Sequence, residues 1–406
     1  MRVLFISDVY FPRVNGVSTS IRTFREDLHA CGIETVLVAP AYEAATADDP
    51  SIVRVPSAGV PGDPEDRRMK WGALKRTLRG LGCDEFDLVH IHTPFVAHYA
   101  GVWFAKRCGI PCIATYHTFF EEYLHHYVPV LPRSVGRFVA KHFTRSQCRE
   151  VGALIAPSEP MRVVLQAYGV TTPIHVLPTG LPADRFNAGN GASFRKLIGL
   201  PLDAPVMTYV GRVAHEKNIE FLVKVFAEVR TKNPAAIFVI AGEGPARESL
   251  RQLVSRMGLA DRVRFVGYLD RNTTLLDCYA AADVFTFASR TETQGLVLLE
   301  AMAQGTPVVS TAELGTRSIL TPECGAFVVP EEEQAFAAAV VSALALPSAD
   351  PRRAQLRAHA ESWASQAMTR RLIAFYEKIL AGAKRVSNKR TGPLGDPVTS
   401  GAVASE

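Results

Sequence analysis

The chain has 406 residues, 48% of them apolar and 21% charged, a balance that excludes a wholly disordered protein and one embedded in a membrane. Its length exceeds what one core usually fills, so two or more domains are expected. A net charge of +5 spread over that length does not indicate a nucleic-acid partner.

The cysteines, Cys31, Cys83, Cys108, Cys112, Cys148, Cys278 and Cys324, are odd in number and form no Cys-x-x-Cys pair. Neither a disulfide framework nor a zinc site is expected, and a reducing cytoplasm fits best. The opening MRVLFISD breaks its apolar run at Asp8, too early for a signal peptide. The longest uncharged stretch, Gln334 to Ala349, contains a proline and falls short of the ~20 apolar residues that cross a bilayer. No integral membrane segment is expected.

In chain order, RVLFIS, a loop FPRVNGVST, a helical SIRTFREDLHACG and a second run ETVLVAP open the sequence. Near-continuous apolar strands separated by helices predict a parallel sheet buried on both faces. DLVHIH, PCIATY, ALIAPS and IHVLPTG extend the pattern, so the first half reads as a doubly wound α/β domain over 1–182. Residues 181–204, rich in Gly, Pro, Asn and Asp, mark a linker and a restart. A second domain, 200–362, repeats the architecture with VMTYVG, AIFVIAG, VRFVG, DVFTFAS and PVVS as strands. Residues 352–382 are helical by period, and 363–382 are expected to pack back toward the first domain. From 384 to 406 large apolar residues almost vanish, which predicts a disordered tail.

Two such domains face the carboxyl ends of their sheets onto a cleft, where ligands bind. The chemistry-bearing motifs of the second half all follow strands. GRVAHEKN places Arg212 and Lys217 after VMTYVG, two cations suited to a diphosphate. AGEGP offers Gly242 after AIFVIAG. SRTETQGLVLLEAMAQ after DVFTFAS carries Glu292 and Glu300 on either side of Gly295. A helix starting beyond Gly295 leaves the N–H groups of Thr293, Gln294, Gly295 and Leu296 free to hold phosphate. The two carboxylates would repel phosphate and should grip neutral hydroxyls, one on a sugar and one on a ribose. A nucleotide sugar fits.

These elements resemble glycosyltransferase family 4, retaining enzymes with the GT-B fold of two Rossmann-like domains. The resemblance covers nearly all of residues 1–380. It rests on FPRVNGVST, on TYHTFFEEYLHHY at 115–127, on GR followed by Lys217 and Asn218, and on the Glu-x7-Glu segment at 292–300. TYHT and ETQGL are similar to bacterial diacylglycerol glucosyltransferases and related lipid glycosyl- and mannosyltransferases. The resemblance implies Glu300 on the ribose, Glu292 on a donor-sugar hydroxyl, and Arg212 and Lys217 on the leaving diphosphate. It implies that Gly16 leaves room for the phosphate, that Tyr268 lies beside the base, and that His117 faces the transferred sugar and the acceptor. It also implies front-face attack, with the leaving phosphate taking the acceptor proton. No cofactor is expected. The chain has no Asp-x-Asp pair, which points to metal independence.

Other readings stand beside these. His117 could be a core histidine bonded to backbone. His90 and His92 share a strand face, but no third ligand has metal spacing. Glu121, Glu122 and Tyr123 either bind acceptor hydroxyls or open a helix. Basic amphipathic helices near 67–79 and 133–149 could contact an anionic membrane, or their apolar faces could be core. The acceptor reads as a lipid at the inner membrane face, with a soluble sugar or polysaccharide as the alternative. A nucleotide-sugar 2-epimerase would bind the same donor without an acceptor.

Overall fold

A computed structural model describes residues 1–43, 49–60, 63–117, 133–271 and 273–390. In the first half the strands are β1 (Arg2–Ile6), β2 (Glu34–Pro40), β3 (Ile52–Val55), the pair β4 (Ser57–Val60) and β5 (Asp63–Met69), then β6 (Leu88–Ile91), β7 (Cys112–Thr115), β8 (Ala153–Ala156) and β9 (Ile174–Val176). Seven of them form one parallel sheet in the order β3-β2-β1-β6-β7-β8-β9. The helices are α1 (Gly16–Ala30), α2 (Trp71–Gly80), α3 (Val96–Cys108), α4 (Arg133–Cys148) and α5 (Glu159–Ala167). Helix α1 begins where the Asn15 side chain accepts the Ser18 N–H at 2.8 Å, satisfying a donor that the first turn leaves open.

The second half repeats the plan. Its strands β10 (Val206–Val210), β11 (Ile237–Ala241), β12 (Val263–Gly267), β13 (Val284–Phe287), β14 (Val308–Ser310) and β15 (Phe327–Val328) form a parallel sheet in the order β12-β11-β10-β13-β14-β15. Helices α6 (Gly191–Leu197), α7 (Ile219–Lys232), α8 (Arg247–Arg256), α9 (Thr274–Ala281), α10 (Leu296–Ala303) and α11 (Glu333–Leu344) surround it. Every residue of β6, β10 and β11 is buried, as a sheet covered on both faces requires.

The first sheet buries its two faces differently. Leu74 and Leu78 of α2 and Ala97, Ala100 and Phe104 of α3 pack on one face. On the other, Ile21, Phe24 and Leu28 of α1 meet Leu372, Phe375 and Tyr376. These last three belong to α13 (Ser365–Arg390), which follows α12 (Pro351–Glu361) and returns from the second half. The crossing is stitched at one point: Leu181 N–H donates to Trp363 O at 2.7 Å and Ser365 N–H to Leu181 O at 2.9 Å. The helical period expected across 352–382 is therefore broken at 362–364, where backbone pairs with Leu181 instead.

Three further expectations are corrected. Residues 67–69 end a strand, not a helix, because Asp63–Met69 pairs antiparallel with Ser57–Val60. Helix α13 runs to Arg390, into the stretch expected to be a disordered tail. Cys83 and Cys108 form a disulfide, since the end of α3 returns beside the short helical turn that follows α2.

Candidate functional site

Both sheets reverse their strand order once, between β1 and β6 in the first and between β10 and β13 in the second. Loops leaving the carboxyl ends of strands part at such points and open a ligand crevice. A cleft of about 650 Å³ lies between the two halves, with Asn15, Gly16, His117 and Thr179 on one wall. Arg212, Lys217, Gly242, Tyr268, Glu292, Thr293, Gln294, Gly295, Leu296 and Glu300 line the other. The structure thus brings together every donor-side residue singled out in the sequence.

Each is placed by its strand end. Beyond β10, the buried Tyr209 hydroxyl donates to Arg212 O at 3.0 Å, tying the turn that carries Arg212 and Lys217. Burial, with Glu292 and Glu216 nearby, pushes the Tyr209 phenol well up, so it stays a neutral donor. Beyond β11, Gly242 has φ +131, and a Cβ there would lie 1.9 Å from Gly211 O. Only glycine lets these two strand ends touch. Gly16 differs: a Cβ would meet nothing within 4 Å, so packing does not require glycine there. Tyr268, after β12, is exposed to the cleft. Beyond β13, Gly295 adopts φ +99 as the N-cap of α10, whose opening N–H groups have no helical partner.

The carboxylates differ in setting. Glu292 is ion-paired with Lys217. Glu300 is 2% exposed and is held by the Arg271 guanidinium and by the Tyr279 hydroxyl, which donates at 2.8 Å. Burial opposes the Arg271 charge most strongly, and Glu300, Tyr279 and Asp184 together still keep the pKa raised. Burial, reinforced by Glu300, likewise pushes Tyr279 well up. Arg212 lies 3.7 Å from Glu216. Cations and carboxylates thus interlock along the cleft, each a group that a polar ligand can take over.

Sequence reasoning missed Arg271 and Tyr279. Arg271 follows β12 within the polar run LDRN, which reads as ordinary loop. Nor did the sequence reveal that the 293–294 side chains bridge the halves. Thr293 Oγ1 donates to His117 O at 2.9 Å, and Ser158 Oγ donates to Thr293 O at 2.7 Å. Gln294 spans the Thr179 backbone, accepting its N–H at 2.8 Å and donating to its carbonyl at 2.6 Å.

On the first half, burial lowers the His117 pKa to about 4, and a neutral ring lines the cleft. Glu121, Glu122 and Tyr123 lie outside the described residues. Of the basic helices, α2 buries Leu74 and Leu78 as core, while Trp71 stays exposed beside Lys75. Helix α4 is unlike it: Val135, Phe138 and Val139 are exposed, Phe138 at 70%. Among the described residues no helix is long and apolar enough to cross a membrane, and no group of three His, Cys, Asp or Glu could hold a metal ion.

Comparison with known proteins agrees with this fold. A family model described as Glycosyltransferase Family 4 matches residues 14–185, and one described as Glycosyl transferases group 1 matches residues 192–363. The chain is 32% identical over 316 residues to an alpha-monoglucosyldiacylglycerol synthase of Streptococcus pneumoniae, covering 76% of this chain and 71% of that one. It is 28% identical to a GDP-mannose-dependent alpha-mannosyltransferase of Mycobacterium tuberculosis, covering 82% and 85%. Among solved structures, the Anabaena protein HepE in complex with UDP and glucose superposes with a TM-score of 0.72 at 15% identity, covering 93% of this chain and 100% of that one.

Proposed function

For a chain that belongs to glycosyltransferase family 4 and has the GT-B fold, we propose retaining, metal-independent transfer of a hexose from a nucleotide-diphosphate sugar to a lipid hydroxyl. The observation that carries the proposal is the pairing of Glu292 and Glu300 on one cleft wall, with Arg212, Lys217 and the start of α10 beside them. Glu300 takes the ribose diol and Glu292 a sugar hydroxyl. The diphosphate lies between them, its charge met by Arg212, Lys217 and the amides of Thr293 to Leu296. Gly16 keeps the opposite wall open. His117 faces the transferred sugar, and the departing phosphate oxygen accepts the proton of the attacking hydroxyl. Leaving-group charge is thus answered by side chains and helix dipole, in keeping with a chain that lacks an Asp-x-Asp pair.

A diacylglycerol acceptor is supported by the name of the pneumococcal relative and by α4, whose exposed Val135, Phe138 and Val139 accompany Arg137, Lys141 and Arg145. Such a face suits the boundary of an anionic membrane, each cation near the headgroups contributing about 1 kcal/mol. The protein would then work at the cytoplasmic membrane face without spanning it.

The test is mass spectrometry of products from UDP-glucose, UDP-galactose, UDP-N-acetylglucosamine or GDP-mannose, with and without vesicles containing diacylglycerol and anionic lipid. Glycosyl-diacylglycerol formed only with vesicles, and undiminished by EDTA, is the expected result. Nucleotide release without lipid product would assign a soluble acceptor. Isomerised donor without release would assign an epimerase, and reversible loss in EDTA would remove metal independence.

A further inference from the structure

His92 sits one residue beyond β6, 1% exposed, where no ligand in the cleft can reach it directly. Its ring is wedged between three others, with centroids 4.6 Å from Phe5, 4.1 Å from His90 and 5.5 Å from His117, the last nearly parallel. Its Nδ1 lies 3.2 Å from His117 Nε2, and among the described residues its Nε2 is buried without a partner. We propose that His92 is a positioning residue: it fixes the ring and the tautomer of His117, so that His117 meets the substrate as a hydrogen-bond donor and not as a base. The inference rests on the reading of His117 as a group facing the transferred sugar.

The assignment follows from counting protons. Burial holds both rings neutral, so each has one proton to place. A proton on His92 Nε2 would leave a buried N–H unsatisfied, which folded proteins avoid more strictly than a bare acceptor. The His92 proton is therefore on Nδ1, donated to His117 Nε2. The proton of His117 is then on its own Nδ1, the ring nitrogen left for a ligand in the cleft.

His90 cannot take this part, since its Nδ1 shares a hydrogen bond with the Tyr376 hydroxyl and its Nε2 with Thr115 Oγ1, both at 2.7 Å. It serves instead as a fixed wall behind His92, tied to α13. The His117 backbone is held from the opposite half by Thr293 Oγ1 at 2.9 Å. A residue clamped at ring and carbonyl presents its Nδ1–H in one direction.

A donor at that atom has a chemical consequence. It can stabilise a hydroxyl oxygen of the transferred sugar, but it cannot accept the proton of the attacking hydroxyl. In transfer, the bond from the acceptor oxygen to the anomeric carbon forms, and the bond from that carbon to the phosphate oxygen breaks. The acceptor proton goes to the departing phosphate oxygen. His117 is spared as a base.

The test measures kcat and donor KM on the full chain in the vesicle assay above. His92→Phe keeps an aromatic ring and removes Nδ1; kcat is expected to fall about 100-fold, with donor KM within about threefold, because a misplaced group costs rate more than affinity. His92→Asn carries its amide nitrogen near the Nδ1 position and should fall least. His92→Gln, whose amide reaches the Nε2 position, should fall as His92→Phe does. Combining His92→Phe with His117→Ala should lose no more than His117→Ala alone, since both act through one ring. Undiminished kcat in His92→Phe, equal rates in the Asn and Gln variants, or multiplied losses in the double variant would each overturn the assignment. If His92→Phe does not fold, the Asn and Gln comparison decides. If the wild-type protein transfers sugar from no donor, the functional reading fails and the inference with it, whereas an active wild type with an undiminished His92→Phe refutes the inference alone.

Discussion

Replacing Glu300 by Gln removes one negative charge from a site 2% exposed and leaves its volume unchanged. Two partners lose a charged acceptor, the Arg271 guanidinium and the Tyr279 hydroxyl. Hydrogen bonds to a charged group are worth about 1 kcal/mol more than neutral ones, and breaking a buried ion pair costs about 3 to 5 kcal/mol. Gln keeps an acceptor for one partner, so a loss of about 3 kcal/mol is expected. In a domain of this size that lowers Tm by roughly 6 to 12 °C. The same carboxylate is assigned to the ribose, so nucleotide affinity should fall about 10- to 100-fold. Scanning calorimetry with and without UDP reads both effects. At a concentration 100 times its Kd, UDP should stabilise the wild-type protein by about 2.7 kcal/mol and the variant by less than about 1.5 kcal/mol. A variant with wild-type Tm and an unchanged UDP gain would refute both the burial argument and the ribose assignment.

Acid should destabilise the first half. Burial lowers the pKa of His90 to about 3 and of His117 to about 4, so their stability is present above 6.5 and is lost as pH falls through the folded values. Between pH 6.5 and 4 each withdraws about 3 kcal/mol. Asp8 acts oppositely. Burial raises its pKa from 3.8 to about 6, so its stability is full below 3.8 and is lost as pH rises through 6, returning about 3 kcal/mol over the same descent. The histidines win, and urea titrations from pH 7 to 4 should show a net loss of at least about 3 kcal/mol, which His90→Gln should reduce. Leu372→Ala, in the fully buried seam of α13, should cost about 2 to 5 kcal/mol in urea unfolding, although it lies far in sequence from the strands it covers. Gly242→Ala should lower Tm, because its Cβ collides with Gly211 O; Gly16→Ala should leave Tm unchanged and weaken UDP binding in calorimetric titration.

Much of this architecture was legible because parallel strands buried on both faces write themselves as runs such as RVLFI, VMTYV and IFVIA. That Arg212, Lys217, Gly242, Glu292 and Glu300 share one cleft wall was legible because they follow strand ends whose positions the runs define. The hairpin Ser57–Val60 with Asp63–Met69 was not, since SAGV and DPEDRRM carry few β-branched residues and owe their pairing to each other. Long-range partners were also hidden. Tyr376 meets His90 across 286 residues, and Arg271 reaches Glu300 only because β12 and α10 converge on the cleft. The Cys83–Cys108 bridge depends likewise on how α3 returns. On α4, periodicity separated an apolar face from a basic one but could not say whether the apolar face is covered. Packing among the described residues leaves it open.

The assignment of the two glutamates to opposite ends of one donor is tested most directly by a crystal structure with a nucleotide sugar bound. The expected density has the ribose hydroxyls on Glu300, a sugar hydroxyl on Glu292, and the diphosphate between Arg212, Lys217 and the first amides of α10. A diphosphate bound elsewhere, or a ribose that leaves Glu300 on Arg271 and Tyr279 alone, would contradict it.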